Sequence, residues 1–135
     1  MKEKILISTG GSGGHVIPAE IISEHLNHNF EIFFSTDLRG LKYLKFEKSR
    51  TLIINTPKLT FNFFLPFKFI KIFFLTFWSI SFLIRNKINK VISTGGYMSL
   101  PVCIGAKILG LKIYLLEPNL VLGRANKVYL NFSEK

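Results

Sequence analysis

The sequence predicts an α/β fold, a doubly wound parallel sheet, on three observations. Short, wholly apolar runs rich in Ile, Leu, Val and Phe recur along the chain without the polar alternation of a half-exposed strand. Stretches of helical periodicity separate those runs. Glycine-rich or polar segments follow three of the runs, where a parallel sheet places its ligand-binding loops.

Lys4 to Thr9 reads as a buried strand that ends in Gly10-Gly11-Ser12-Gly13-Gly14. From His15 to Leu26 the period becomes helical, with Val16, Ala19, Ile22, Ser23 and Leu26 on one side and Pro18 in the first turn, where a missing N–H costs little. Phe30 to Ser35 is a second strand, Leu38 to Phe46 a short helix, and Thr51 to Asn55 a third strand stopped by Pro57. An aromatic segment runs from Phe61 to Ile84. Lys90 to Thr94 is a fourth strand closed by Gly95-Gly96, Leu100 to Leu109 a helix with Gly110 as its stop, and Lys112 to Leu116 a fifth strand. Gly123 to Leu130 begins another helix. The 135 residues suit one domain, with no repeat and no linker.

Composition narrows the functional classes. Hydrophobic residues make up 48% of the chain, which argues against disorder. The lone cysteine, Cys103, cannot form an internal disulfide and fits a reducing compartment. The apolar run after Met1 is too short for a secretory signal. The net charge of +10 is concentrated, because no Asp or Glu occurs between Lys48 and Leu116. Such a block suits anionic lipid, a phosphorylated substrate or nucleic acid. Nucleic acid is disfavoured, since the aromatics are packed at helix density rather than spaced along strands as a stacking platform.

The segment Gly10-Gly11-Ser12-Gly13-Gly14-His15 joins a strand to a helix, where free N–H groups and a partial positive charge favour an anion, usually phosphate. Gly95-Gly96 repeats the arrangement after the fourth strand, so two loops on one edge can grip a diphosphate. A dinucleotide fingerprint starting at Gly11 fails where Val16 stands, although Asp37 could mimic the acid that binds a ribose. The Walker pattern is absent, and no Cys/His cluster has metal-ligand spacing.

Three segments in order carry a specific likeness. Gly10 to His15 with Pro18-Ala19, then Thr94-Gly95-Gly96-Tyr97-Met98-Ser99-Leu100-Pro101, then Leu116-Glu117-Pro118-Asn119 with Gly123 and Asn126-Lys127, resemble the three loops of the MurG family. That family adds N-acetylglucosamine to a muramyl-pentapeptide carried on undecaprenyl diphosphate. The likeness runs from about Lys4 to Leu130; it departs at the third loop, where Leu116-Glu117-Pro118-Asn119 replaces the usual His-Glu-Gln-Asn. It implies a Rossmann-like sheet, the N-terminal, acceptor- and membrane-binding half of a GT-B glycosyltransferase, spanning 1–135. The C-terminal donor domain is expected to be absent, and this half to be inactive without it.

The resemblance implies an inverting transfer from UDP-N-acetylglucosamine, with no cofactor bound by this half. The reaction belongs to peptidoglycan synthesis at the cytoplasmic face of the inner membrane. His15 is the candidate base, with acceptor binding or helix capping as its alternatives, and Glu117 is the rival. Gly10, Gly11, Ser12, Gly13, Gly14, His15, Gly95, Gly96, Tyr97, Ser99, Asn119 and Asn126 form the expected acceptor and diphosphate site. Asn126 has helix stabilisation as its alternative, and His25 and His28 read as surface residues.

Nine of the 14 Phe residues lie between Phe61 and Phe82, with Trp78 among them. On a helical wheel Lys68, Lys71, Thr76, Ser79 and Asn86 form one stripe and the remainder is almost wholly apolar. One apolar face is expected to cover the sheet. The remainder exceeds what a soluble domain exposes. An interfacial helix is the leading reading of 61–85, with Phe64, Phe67, Phe73, Phe74, Phe77 and Trp78 in the bilayer surface and Lys68 and Lys71 on lipid phosphates. A transmembrane helix and a core helix are its rivals. The uncharged run Ile72 to Ile84 is 13 residues, short of the ~20 that span a bilayer. Two other assignments compete with that of an acceptor-binding half: a membrane subunit whose donor-binding domain is separately encoded, and a non-catalytic remnant.

Overall fold

The computed structural model describes residues 2–58, 60 and 63–117. Five strands, β1 (Glu3–Ser8), β2 (Phe30–Thr36), β3 (Thr51–Ile53), β4 (Lys90–Ser93) and β5 (Lys112–Leu115), form one parallel sheet in the order β3-β2-β1-β4-β5. Helix α1 (Gly13–Leu26) joins β1 to β2, α2 (Leu65–Arg85) joins β3 to β4, and α3 (Leu100–Ile108) joins β4 to β5. The winding reverses between β1 and β4, which leaves a crevice beyond their carboxyl ends. The predicted helix at 123–130 lies outside the described residues.

Two cores form because the strands are apolar on both faces. Ile5, Ile7, Ile32 and Phe34 pack with Ala19 of α1, with Ile22 and Leu26 partly buried beside them. On the opposite face Leu6, Phe33, Leu52, Val91 and Ile113 pack with Leu83 of α2 and with Val102, Cys103 and Ala106 of α3. Near the carboxyl edge the strands switch to small hydroxyl residues. Ser8 lies in register with Ser35 and Ser93, all buried, and the Ser35 hydroxyl donates to Ser8 Oγ at 2.8 Å. These short side chains leave room for the loops to close over the sheet.

Two expectations are corrected. The helix predicted from Leu38 to Phe46 is instead a single 3-10 turn, Gly40–Lys42, with a second 3-10 turn, Lys48–Arg50, just beyond that range. The Asp37 carboxylate caps the turn by accepting the Gly40 N–H at 2.8 Å, but a glycine inside the first turn disfavours an α-helix, and only a 3-10 turn forms. Second, α2 is a helix as its wheel implied, but its covering face is not an apolar one. Ile72, Thr76, Ser79 and Leu83 face inward, so half of the buried positions come from the polar stripe. Thr76 and Ser79 satisfy their hydroxyls on the carbonyls of Ile72 (2.9 Å) and Leu75 (2.8 Å). Their small size, with Gly105 of α3 opposite, lets the two helices approach closely. A Cβ at Gly105 would lie 3.1 Å from the Ile80 side chain and 3.5 Å from its backbone nitrogen.

The ends of α2 and α3 form the same C-terminal motif from different residues. The Ile88 N–H bonds the Leu83 carbonyl at 2.9 Å, and the Leu111 N–H bonds the Ala106 carbonyl at 2.9 Å. Each motif needs one residue with positive φ. Gly110 supplies it for α3 at 68°, but Lys87 carries it for α2 at 55°, where a side chain is strained. Lys87→Gly should therefore raise unfolding stability by about 1 kcal/mol, read as a higher denaturation midpoint with an unchanged slope. A midpoint that falls would contradict the strain.

Candidate functional site

The crevice at the winding reversal is built by the two glycine loops. α1 begins two residues earlier than its periodicity suggested, at Gly13, with Ser12 as an extended N-cap residue. Its first turn is tight: the N–H groups of His15 and Val16 both bond Ser12 O at 3.0 Å. The Gly13 and Gly14 amides have no hydrogen-bond partner among the described residues and form the open N-terminal end of the helix. After β4, Gly95 and Gly96 take φ of 91° and 89°, which turns the chain back over β1. A Cβ on Gly96 would lie 3.0 Å from the Gly10 Cα, so the two loops touch backbone to backbone.

His15 locks this junction. Its Nδ1 lies 2.8 Å from the Thr94 carbonyl oxygen, which can only accept, so Nδ1 carries the proton. In the neutral tautomer that this bond selects, the lone pair is on Nε2. Thr94 Oγ1 donates to the His15 carbonyl at 3.2 Å, closing the pair in both directions. The ring lies over Gly10, where a Cβ would meet its Cδ2 at 3.0 Å. Gly10 is glycine because an imidazole occupies that space.

A cleft of about 290 Å³ opens here, lined by Gly10, Gly11, Ser12, His15, Gly96, Tyr97, Met98 and two cations, Arg39 and Lys58. The structure thus brings together the first loop, His15, Gly96 and Tyr97. Gly95 is buried behind Gly96, its N–H bonded to Ser93 Oγ at 3.2 Å. Ser99 is also fully buried and donates to the Gly96 carbonyl at 2.7 Å, so it shapes the second loop from beneath. Glu117 stands two residues past β5, on the carboxyl edge but not in the cleft lining. Asn119 and Asn126 lie outside the described residues. Among the described residues no group of three His, Cys, Asp or Glu is placed to hold a metal ion.

Asp37 has a different place from the ribose-binding acid considered above. It is buried, Oδ1 accepts the Gly40 N–H, and Oδ2 accepts Arg39 Nε at 2.7 Å. It also fills the space beside Gly11, where a Cβ would collide with Oδ1 at 2.2 Å. Both carboxylate oxygens are committed within the protein. Arg39 and Lys58 escaped the sequence reading because neither sits in a recognisable motif; only the fold carries them to this edge.

A second surface lies along α2. Phe63, Phe64, Phe67, Phe69, Ile70, Phe73, Phe74, Phe77, Trp78 and Ile84 are exposed, with Trp78 at 62%. Phe73 stacks edge-on against Phe74 and Phe77 at 6.1 and 5.0 Å. The segment is thus exposed over about half its circumference, and Lys71 and Arg85 are exposed beside it. Lys68 reaches back to Thr60. By length and hydropathy the helix could cross a bilayer. Yet it joins strands of one sheet and packs on α3, so a crossing would take that sheet into the hydrocarbon.

The family then follows from comparison with known proteins. Residues 5–135 match the glycosyltransferase family 28 N-terminal domain. The chain belongs to that family. It is 53% identical, over its whole length, to 38% of the Pelagibacter ubique UDP-N-acetylglucosamine–N-acetylmuramyl-(pentapeptide) pyrophosphoryl-undecaprenol N-acetylglucosamine transferase. The Rickettsia felis protein of the same name is 32% identical, with 98% of this chain and 37% of that protein covered. The chain therefore spans about two fifths of the length of the curated relatives it matches. Acinetobacter baumannii MurG superposes with a TM-score of 0.83 at 24% identity, covering 98% of this chain and 40% of that one. The UDP-GlcNAc 2-epimerase of Methanocaldococcus jannaschii superposes at 0.58 with 15% identity, covering 87% of this chain and 31% of that one. The family 28 domain is thus the Rossmann-like N-terminal half of a GT-B fold.

Cys103 lies directly beneath the second loop and is fully buried. Burial pushes its thiol up to about 12, against a smaller opposing effect from the Ser93 and Ser99 hydroxyls. The folded protein therefore keeps its proton where the unfolded chain, at about 8.5, loses it. That contribution to stability is complete below about pH 8.5 and is lost as pH rises towards 12. Between pH 9 and 11 the parent should lose roughly 1 kcal/mol per pH unit more than Cys103→Ser in denaturant titrations. Equal slopes would show that the thiol ionises freely in the folded state.

Proposed function

We propose that this domain is the acceptor-binding half of an inverting glycosyltransferase. It transfers N-acetylglucosamine from UDP-N-acetylglucosamine to a muramyl-peptide linked through diphosphate to a polyprenyl lipid, a step of peptidoglycan synthesis. It works as a peripheral protein at the cytoplasmic face of the cell membrane. The observation that carries this reading is the pair of glycine loops interlocked by His15 at the mouth of a cationic cleft, on a domain whose adjoining helix faces outward with aromatics. Family membership and the printed activity of the relatives point the same way. The donor-binding half comes from a second domain, in the same polypeptide or in another, and this half uses no cofactor.

The amides of Gly13 and Gly14 and the helix end suit the acceptor diphosphate, with Gly96 and Tyr97 on the facing loop. His15 has the geometry of a general base: Nδ1–H is held by Thr94, and the ring lines the cleft with its second nitrogen able to accept the proton of the attacking hydroxyl. The displaced UDP leaves from the opposite face of the sugar, on the donor half. α2 lies flat in the headgroup region, with its aromatics in the outer acyl layer and Lys71 and Arg85 on lipid phosphates. Lys58 of the cleft lining and the exposed Phe63 and Phe64 belong to the one segment that leads from β3 into α2, so a lipid-borne diphosphate can reach the glycine loops without leaving the bilayer.

A donor half supplied with the chain, on vesicles of anionic phospholipid, separates these roles. His15→Ala should lower turnover at least about tenfold while vesicle binding is kept. Phe73→Ser with Trp78→Ser should release the chain from vesicles. Full turnover in the first variant would refute the base, and undiminished vesicle binding in the second would refute the docking face.

A further inference from the structure

Resting on the diphosphate reading above, the geometry points to Arg39 and Lys58 as the side-chain clamp for the acceptor diphosphate, with Asp37 as the residue that positions Arg39. The backbone amides of the glycine loop offer only partial charge, about half a unit at a helix end. A diphosphate carries at least two full negative charges, so amides alone leave most of it uncompensated. The cleft has two full cations in its lining and no carboxylate. They arrive from separate places, Arg39 from the turn after β2 and Lys58 from the segment after β3, so topology rather than sequence proximity unites them.

The state of Arg39 supports a ligand role over a structural one. Its side chain is 62% exposed, whereas that of its partner Asp37 is 5% exposed. Asp37 takes only Nε, at 2.7 Å, which fixes the guanidinium plane and leaves its four terminal N–H groups for an outside acceptor. Asp37 is itself fixed by the Gly40 amide and by contact with Gly11 of the phosphate loop. The guanidinium is therefore held in register with the loop amides, an arrangement that suits forked bonding to phosphate oxygens. Lys58 makes no ion pair among the described residues and supplies the net positive charge that the Asp37–Arg39 pair lacks.

The test is calorimetric titration of the 135-residue chain with inorganic pyrophosphate and with geranyl diphosphate, at low salt. Arg39→Ala should weaken both about tenfold or more, Arg39→Lys should recover part of the loss, and Lys58→Ala should weaken both about fivefold. The melting temperature of Lys58→Ala should stay at the parent value, since that side chain is exposed; Arg39→Ala leaves the buried Asp37 carboxylate without its cation and should melt lower, so binding is measured well below each variant's melting temperature. Asp37→Asn is the sharper case. Removing a negative charge beside the cleft would strengthen anion binding on electrostatics alone, whereas loss of positioning weakens it; weaker binding is expected. Parent-like binding by Arg39→Ala and Lys58→Ala overturns the clamp and leaves the glycine-loop reading intact. Tighter binding by Asp37→Asn overturns the positioning role. A parent chain that binds neither probe overturns the clamp together with the diphosphate reading.

Discussion

The contact on which the rest depends is between two backbones. Gly96 comes against Gly10 so closely that a single Cβ would separate them, and the His15 ring, tied to the Thr94 carbonyl, covers the joint. This contact is possible only where neighbouring parallel strands send their chains in opposite directions, which here is the boundary between β1 and β4. Everything with ligand-binding potential converges on it: an open helix end, a histidine with one nitrogen committed, and a turn from β2 whose carboxylate is packed under the first loop. The catalytic candidate is also the structural fastener, so substitutions at position 15 act on loop geometry and on proton transfer together.

The aromatic helix obeys a different constraint. On the proposed docking, α2 is shared between a core and a membrane surface, two apolar demands that fall on different residues. Small hydroxyl side chains with their own helix carbonyls as partners face α3, where Gly105 lets the backbones approach, and the bulky rings are left for the outside. A conventional amphipathic helix would bury Phe and expose Ser and Thr. This inversion is what the proposed membrane docking calls for.

Much of the fold was legible because buried parallel strands announce themselves as short apolar runs, and because glycine pairs end β1 and β4. Gly110 marked the end of α3 for the same local reason. The shortness of the turn at Gly40–Lys42 reflects the glycine inside it, and apolar spacing around Leu41 and Leu44 carries no trace of that cost. The inward direction of Thr76 and Ser79 was equally hidden, since a wheel shows which residues share a face and not which way that face turns. At the site, the glycines and His15 could be named from their motif. Ser99 could not be told from a ligand-binding hydroxyl until its bond to Gly96 was seen, and Arg39 and Lys58 belong to no motif at all.

An experimental structure of the chain with a short-chain, water-soluble prenyl diphosphate sugar tests the central claim most directly. The account predicts the diphosphate within hydrogen-bonding distance of the Gly13 and Gly14 amides, in the crevice beside His15, with the prenyl group leaving toward the start of α2. A diphosphate seated elsewhere, for example against Arg85 at the far end of that helix with the glycine loops untouched, would contradict it.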